Sequence, residues 1–462
     1  MPPLVRNRRS PWDLSEDDVT AALARLRERD EELGREAEDV YGTLTWGEGP
    51  GQIRQAGVQD WLWYRVPTKY LTDEEGYMGK LAEAAAALFD ELGLDAYSAV
   101  CRSEVTAGVH AAFDRSDTEG FKAMRKAMEG SGIEPPDLDD FAWGEIMGMD
   151  EALARTAVED TLEAAIAGGD LVVGGRGWRA RQQEITSARL DRDHSDRPGQ
   201  SWRTIIVTER IGEWVRSAES RSEQVGRRRA GIANQLLHPL SPPDDVERHL
   251  AALVWLLDIF GDEQPLTQAG YLNRPFVVRV HNEHPWEDPY PTDRPPRTET
   301  DVMELHRLRA WLQSVGALRK RGKVLRRTPR GTAMTIDATT AWKVLTDQTT
   351  KDARDRFVIE AAALVLLEHD EPMRPHDLYE QLAADAAELG WRTTDDHGLR
   401  REPSASDATH AFYTSWPLLE LSGFVSEHGD WHNRTVSIRP EGRSTMLAII
   451  RSGAAGPRSR SW

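Results

Sequence analysis

Ser314-Val-Gly-Ala-Leu-Arg-Lys-Arg-Gly-Lys-Val-Leu-Arg-Arg-Thr-Pro-Arg-Gly331 decides how the C-terminal half folds. A glycine closes a helix at Gly316, because it accepts the left-handed backbone that helix ends need. Ala317-Leu318 and Val324-Leu325 flank a basic turn through Gly322, which reads as a β-hairpin. Thr328-Pro329 then opens another helix, since proline suits a first helical position. Upstream, Val302, Leu305, Leu308, Leu312 and Val315 fall on one face of a helix from Thr300 to Val315. Before it, Asp244 to Phe260 carries Leu250, Leu253, Val254 and Leu257 at helical spacing. Leu266-Thr-Gln-Ala-Gly-Tyr-Leu272 opens a second short element, and a proline-rich insert spans Pro285 to Pro296. Ala341, Trp342 and Leu345 mark a closing helix.

The pattern returns downstream. Phe357 to Leu367 and Asp377 to Leu389 read as helices, and a polar loop runs from Thr393 to Ser406. A third helical stretch, interrupted at Pro417, reaches Leu421 and stops at Gly423. Phe424-Val425, a turn at Gly429, Val436-Ser437-Ile438 and Arg439-Pro-Glu-Gly442 lead to a last helix with Met446, Leu447, Ile449 and Ile450. Helix, helix, helix, hairpin, helix is the order of a winged helix, and it occurs twice. Leu266–Leu272, Ser314-Val-Gly-Ala-Leu318, Thr328-Pro-Arg-Gly331 with Ala341-Trp342, Leu418-Leu-Glu-Leu-Ser-Gly-Phe424 and Arg439-Pro-Glu-Gly-Arg443 carry a resemblance over about residues 244–452. The stretch resembles the tandem winged-helix region of a group of uncharacterised bacterial proteins, some associated with plasmids and mobile elements. The resemblance implies a fold and no activity.

The expected fold class is therefore mainly α: an N-terminal helical region followed by two winged-helix units. Expected segments are 1–54, a basic leader, charged helix and Gly-rich connection; 55–238, a helical domain; 244–350 and 351–452, the two winged helices; and 453–462, a flexible tail. His238-Pro-Leu-Ser-Pro-Pro243 is the clearest break.

In the N-terminal half, Ser15 followed by three acids starts a helix that runs through Leu33 to Gly34. Gly42 to Gly57 reads as a turn-rich connection. Trp61, Trp63 and Tyr64 are expected at the edge of a core, with base or ligand stacking as the alternative. Further helices are expected over Leu81–Leu92, Cys101–Phe113, Phe121–Met128 and Asp150–Ala167. Gly168 to Trp178 is glycine-rich but has no GK[ST], so a helix, one strand and a tight turn explain it better than a phosphate loop. Trp202 to Leu237 is one long amphipathic pattern, and Arg227-Arg228-Arg229 is expected on its solvated face.

Charge and cysteine usage remove several classes. Against 77 Asp+Glu stand 58 Lys+Arg, a net charge of −19, which argues against a chain coated with nucleic acid but permits one basic site. Only eight of those cations are Lys. No apolar run approaches the ~20 residues of a membrane span. The N-terminal Met1 to Arg9 lacks the apolar segment of a secretory signal, and Cys101 is the single cysteine, so the expected location is a reducing cytoplasm. No GxSxG elbow is present, and Cys101 has no nearby motif partner. His281-x-x-His284 and His428-x-x-x-His432 have metal-compatible spacings, but neither sits with the Glu of an HExxH helix and both lie in or beside expected loops. No cofactor and no metal is expected.

One local signal remains. Arg307 to Arg330 holds nine cations and no acid in 24 residues. On the winged-helix pattern His306, Arg309 and Gln313 face outward from the third helix, the usual major-groove reader. Arg319, Lys320, Arg321, Lys323, Arg326 and Arg327 line the wing, where cations meet phosphate, and Arg330 just beyond it is a further candidate contact. Neutralising about six phosphates would give a salt slope of about −5. The second unit is more acidic and is expected to serve packing or dimerisation. The sequence thus points to a non-enzymatic protein that binds double-stranded DNA, a regulator or mobile-element accessory. The rivals are an adaptor for a protein partner or a second copy, and an enzyme with its site in the N-terminal region.

Overall fold

A computed structural model describes residues 6–70, 76–284, 286, 294–348, 353–369, 371–394, 397–429 and 433–458. It is mainly helical, with small antiparallel strand pairs. Two compact units emerge, one of Met1–Trp143 and Met147–Ile206, the other of Gly144–Ile146 and Val207–Trp462. The division falls inside helix Trp202–Glu219, and the proline-rich break at 238–243 lies within the second unit.

In the first unit, the charged segment after Ser15 forms two helices rather than one, Glu16–Arg29 and Glu31–Thr45. Asp30 is extended between them, and its carboxylate accepts from the amides of Glu32 and Leu33, restarting the helix. The second helix therefore enters the expected Gly-rich connection. Trp61 and Trp63 are buried, with Trp63 Nε1 donating to Thr106 Oγ1 at 2.9 Å. No strand forms between Gly168 and Trp178. Helix Met149–Gly168 ends with Gly169 left-handed, and turns at Gly174 and Gly177, also left-handed, prevent an extended run. Leu171 is buried as the anchor of this connection, and the helix Trp178–Leu190 follows.

The second unit builds one apolar core from Val207 to Ala454. Helix α1 (Glu223–Ala233) overturns the expected solvated arginine face. Arg227 is exposed, but Arg228 and Arg229 are buried. Arg228 donates to Asp385 and Glu368, each at 2.6 Å. Arg229 meets Glu360 at 3.1 Å, donates to the Trp214 carbonyl at 2.7 Å and lies 4.6 Å from the Trp214 ring centre. Buried guanidinium is tolerable only with such partners.

Two similar halves follow. The first comprises α2 (Ala251–Phe260), β1 (Glu263–Pro265), α3 (Arg274–Glu283), α4 (Met303–Ser314), β2 (Leu318–Arg321), β3 (Val324–Arg327), α5 (Pro329–Ile336) and α6 (Ala338–Asp347). The strands are ordered β1-β3-β2, all antiparallel. The second comprises α7 (Ala353–Glu368), α8 (Pro375–Glu388), α9 (Ala405–Leu421), β4 (Val425–His428), β5 (Thr435–Ile438) and α10 (Arg443–Ala454). There Met373 pairs with Val436 of β5, in the place that β1 takes in the first half. Helix α9 runs unbroken through Pro417, correcting the expected interruption.

The halves also share their joints. After α4 and α9, Gly316 and Gly423 are left-handed, and the next amide returns to the helix: Ala317 N–H to Leu312 O, Phe424 N–H to Leu419 O. The same residues' carbonyls then accept from the far side of the hairpin, from Thr328 and Arg439. Gly331 and Gly442 press against those two carbonyls, which is why each Pro-x-Gly ends in glycine. An added methyl would collide with backbone, so Gly442→Ala and Gly331→Ala should each cost about 1–3 kcal/mol in urea denaturation. Gly231→Ala, on a helical site with open space, should instead add up to about 1 kcal/mol. Equal effects at all three sites would refute this account of the joints.

Candidate nucleic-acid interface

The β2–β3 hairpin closes through the two residues Gly322 and Lys323, with Gly322 left-handed. Its register pairs Leu318 with Arg327, Arg319 with Arg326, Lys320 with Leu325 and Arg321 with Val324. Side chains alternate between faces. Leu318 and Leu325 point to the core and are buried. Arg319, Arg326 and Arg321 share the opposite face. Arg319 and Arg326 stand directly across from one another, an unfavourable pair. Arg326 is relieved by Glu263 of β1 at 2.7 Å. Lys320 lies on the core side at the edge of the sheet, over Gly270, where a larger residue would collide with its ammonium.

Two further cations of the expected site are engaged within the fold. Arg327 is held by Asp258 and Asp262 at 3.2 and 3.3 Å. Arg330 donates to the carbonyl of Val315 at 2.7 Å and to Gln348 at 3.3 Å. Arg319, Lys320, Arg321 and Lys323 are exposed and have no ion pair among the described residues. The free charge is therefore concentrated on β2 and the turn.

Helix α4 is arranged differently from the expectation. Leu305, Leu308, Trp311 and Leu312 are buried. Arg309 also turns inward, donating to Glu299 Oε2 at 2.7 Å and to the Gly270 carbonyl at 3.3 Å. His306 Nδ1 meets Glu299 Oε1 at 2.9 Å. Glu299 is 0 % exposed and also accepts from the Leu272 amide at 2.8 Å. Two of the three expected readers are thus bound within the fold, and Gln313 is half-buried near the helix end. On the other flank α4 packs against α9. There burial raises the Glu420 carboxyl, while Arg434, Arg439 and Arg307 oppose the shift. The exposed positions of α4 are Met303 and Ala310.

Glu299, Asp258, Asp262 and Glu263 are the residues that sequence reasoning missed. No spacing signal marks them, because each meets its arginine across the fold. The histidine pairs add little. His284 stacks on Trp286 with ring centres 4.6 Å apart and its Nδ1 lies 2.8 Å from the Trp286 carbonyl, while His432 lies outside the described residues. Among the described residues, no group of three or more His, Cys, Asp or Glu is placed to hold a metal, and no helix is long and apolar enough to cross a membrane. In the first unit, burial raises the Glu163 and Asp160 carboxyls, yet both are engaged. Glu163 accepts from Tyr97 and the Gln55 amide, and Asp160 pairs with Arg54 at 2.7 Å.

No family model, curated protein or solved structure matches the chain. Since Arg309 is one partner of a buried pair, Arg309→Ala should cost about 3–5 kcal/mol in urea denaturation. Arg319→Ala, at an exposed site, should leave the midpoint nearly unchanged. A midpoint for Arg309→Ala equal to that of the native chain would overturn the structural role of the Glu299 cluster.

Proposed function

We propose that the two halves of the second unit are winged helices, and that the protein is a non-enzymatic DNA-binding protein that meets the duplex through the β2–β3 hairpin. The order helix, strand, helix, helix, hairpin, with the first strand joined to the hairpin's second strand, supports the winged-helix reading. The observation that carries the DNA reading is the set of four exposed, unpaired cations, Arg319, Lys320, Arg321 and Lys323, on the edge strand and tip of one hairpin. Cations on a projecting hairpin suit phosphate, which needs charge and little geometry. Among the described residues of the second half's hairpin, β4 carries Glu427 and His428, and Arg434 pairs with Glu427, which suits a packing role. The proposed setting is the cytoplasm, as a regulator or mobile-element accessory, with the first unit binding another component.

The second reading is an adaptor for a protein partner or a second copy of the chain. The apolar exposed positions of α4, Met303 and Ala310, favour it, because a protein surface can cover them. Duplex binding across a salt series separates the two. If each of the four cations meets one phosphate, the hairpin contributes a slope of about −4 in log affinity against log salt. The variant with all four changed to Ala should flatten the slope by that amount. Absence of binding by the native chain at low salt, or an unchanged slope in the variant, would favour the adaptor.

A further inference from the structure

We infer that the protein binds duplex DNA without reading its base sequence, an inference that rests on the DNA-binding reading of the hairpin. Sequence is read in the major groove by side chains that donate and accept in fixed pairs, chiefly Arg or Lys on guanine and Asn or Gln on adenine. A helix that does this presents them from its N-terminal turns. The side chains of this kind on α4 are engaged within the fold. Its first turn carries exposed Met303 and the acid Glu304, His306 and Arg309 are held by Glu299, and Arg307 is half-buried and acts on Glu420 of α9, against which α4 packs. Releasing Arg309 to a base would leave a fully buried carboxylate without its guanidinium.

Helix α9 does not compensate. Its first turn is acidic at Asp407, which is occupied by Arg401 at 2.7 Å and by the Ser404 amide at 2.8 Å. Further along, α9 packs against α7, α8 and α4, so the third helices of both halves are enclosed by the same unit. The hairpin offers four exposed cations without an ion pair among the described residues, Arg319, Lys320, Arg321 and Lys323. Arginine and lysine from a hairpin reach phosphates or the minor groove, whose pattern separates A·T from G·C and little more. Binding then consists of counterion release, which is independent of sequence and steeply dependent on salt.

The test is selection from a pool of duplexes with a randomised central segment, using the full chain, followed by affinity measurements on the enriched pool and the starting pool. The expected result is binding of both pools at low salt, equal within about twofold, with equal salt slopes and no base preference at any fixed position. A motif bound more than about tenfold tighter than the starting pool would overturn sequence-independent binding and leave the DNA reading intact. Failure of the native chain to bind either pool at low salt would overturn both.

Discussion

A single buried carboxylate, Glu299, fixes the face on which the candidate site stands. It gathers the Leu272 amide, the Arg309 guanidinium and the His306 ring. Those groups belong to the turn after β1 and to α4, so one side chain locks the turn against the helix. A carboxylate withdrawn from water costs several kcal/mol, and charged partners at hydrogen-bond distance offset that cost. The consequence is functional as much as structural. The polar side chains that would give α4 chemistry at its outer surface are consumed in keeping Glu299 satisfied.

A similar economy operates at α1. Arg228 and Arg229 reach acids on α7 and α8, in the second half, and so join the start of the unit to its far end. The apolar core is continuous from Val207 to Ala454, and because the two halves share it, α4 and α9 pack against each other within it. At the hairpin, where the backbone leaves the core, Arg319, Lys320, Arg321 and Lys323 are left exposed and without an ion pair among the described residues.

Local chemistry made the repeat legible. Gly316 and Gly423 announce the helix ends because only a left-handed residue completes those caps, and Pro-x-Gly announces the closing helices because nothing larger fits beside the preceding carbonyl. The free cations of the hairpin were legible for the same reason, as neighbours in sequence. Strand β1 was not. Three residues, Glu263-Gln264-Pro265, carry no alternation to detect. Nor could the sequence reveal that Arg228 and Asp385, 157 positions apart, would meet, or that Arg309 would turn inward. An amphipathic pattern says which positions are polar, and only the fold says whether water or an acid satisfies them. Pro417 misled for a related reason, since packing on both sides holds α9 together where local propensity argues for a break.

The charge of the hairpin has a plainer explanation that must be weighed. Strand β2 is the edge of its sheet, and edge strands often carry Lys or Arg to discourage pairing with another chain. That purpose accounts for one or two cations on β2. It does not account for Lys323 in the turn, nor for acids confined to the opposite edge, at Asp258, Asp262 and Glu263, where they cancel Arg326 and Arg327 alone. The sheet is polarised, with neutralised charge at one edge and free charge at the other. In a protein of net charge −19 the body repels a duplex over about a Debye length, roughly 8–10 Å at ordinary salt. Added salt weakens that repulsion while it weakens the hairpin's attraction, so the two act in opposite directions on the measured slope. The difference between the native chain and the hairpin variant removes the body's share, because both carry the same body. That difference, rather than either slope alone, reports how many phosphates the hairpin meets.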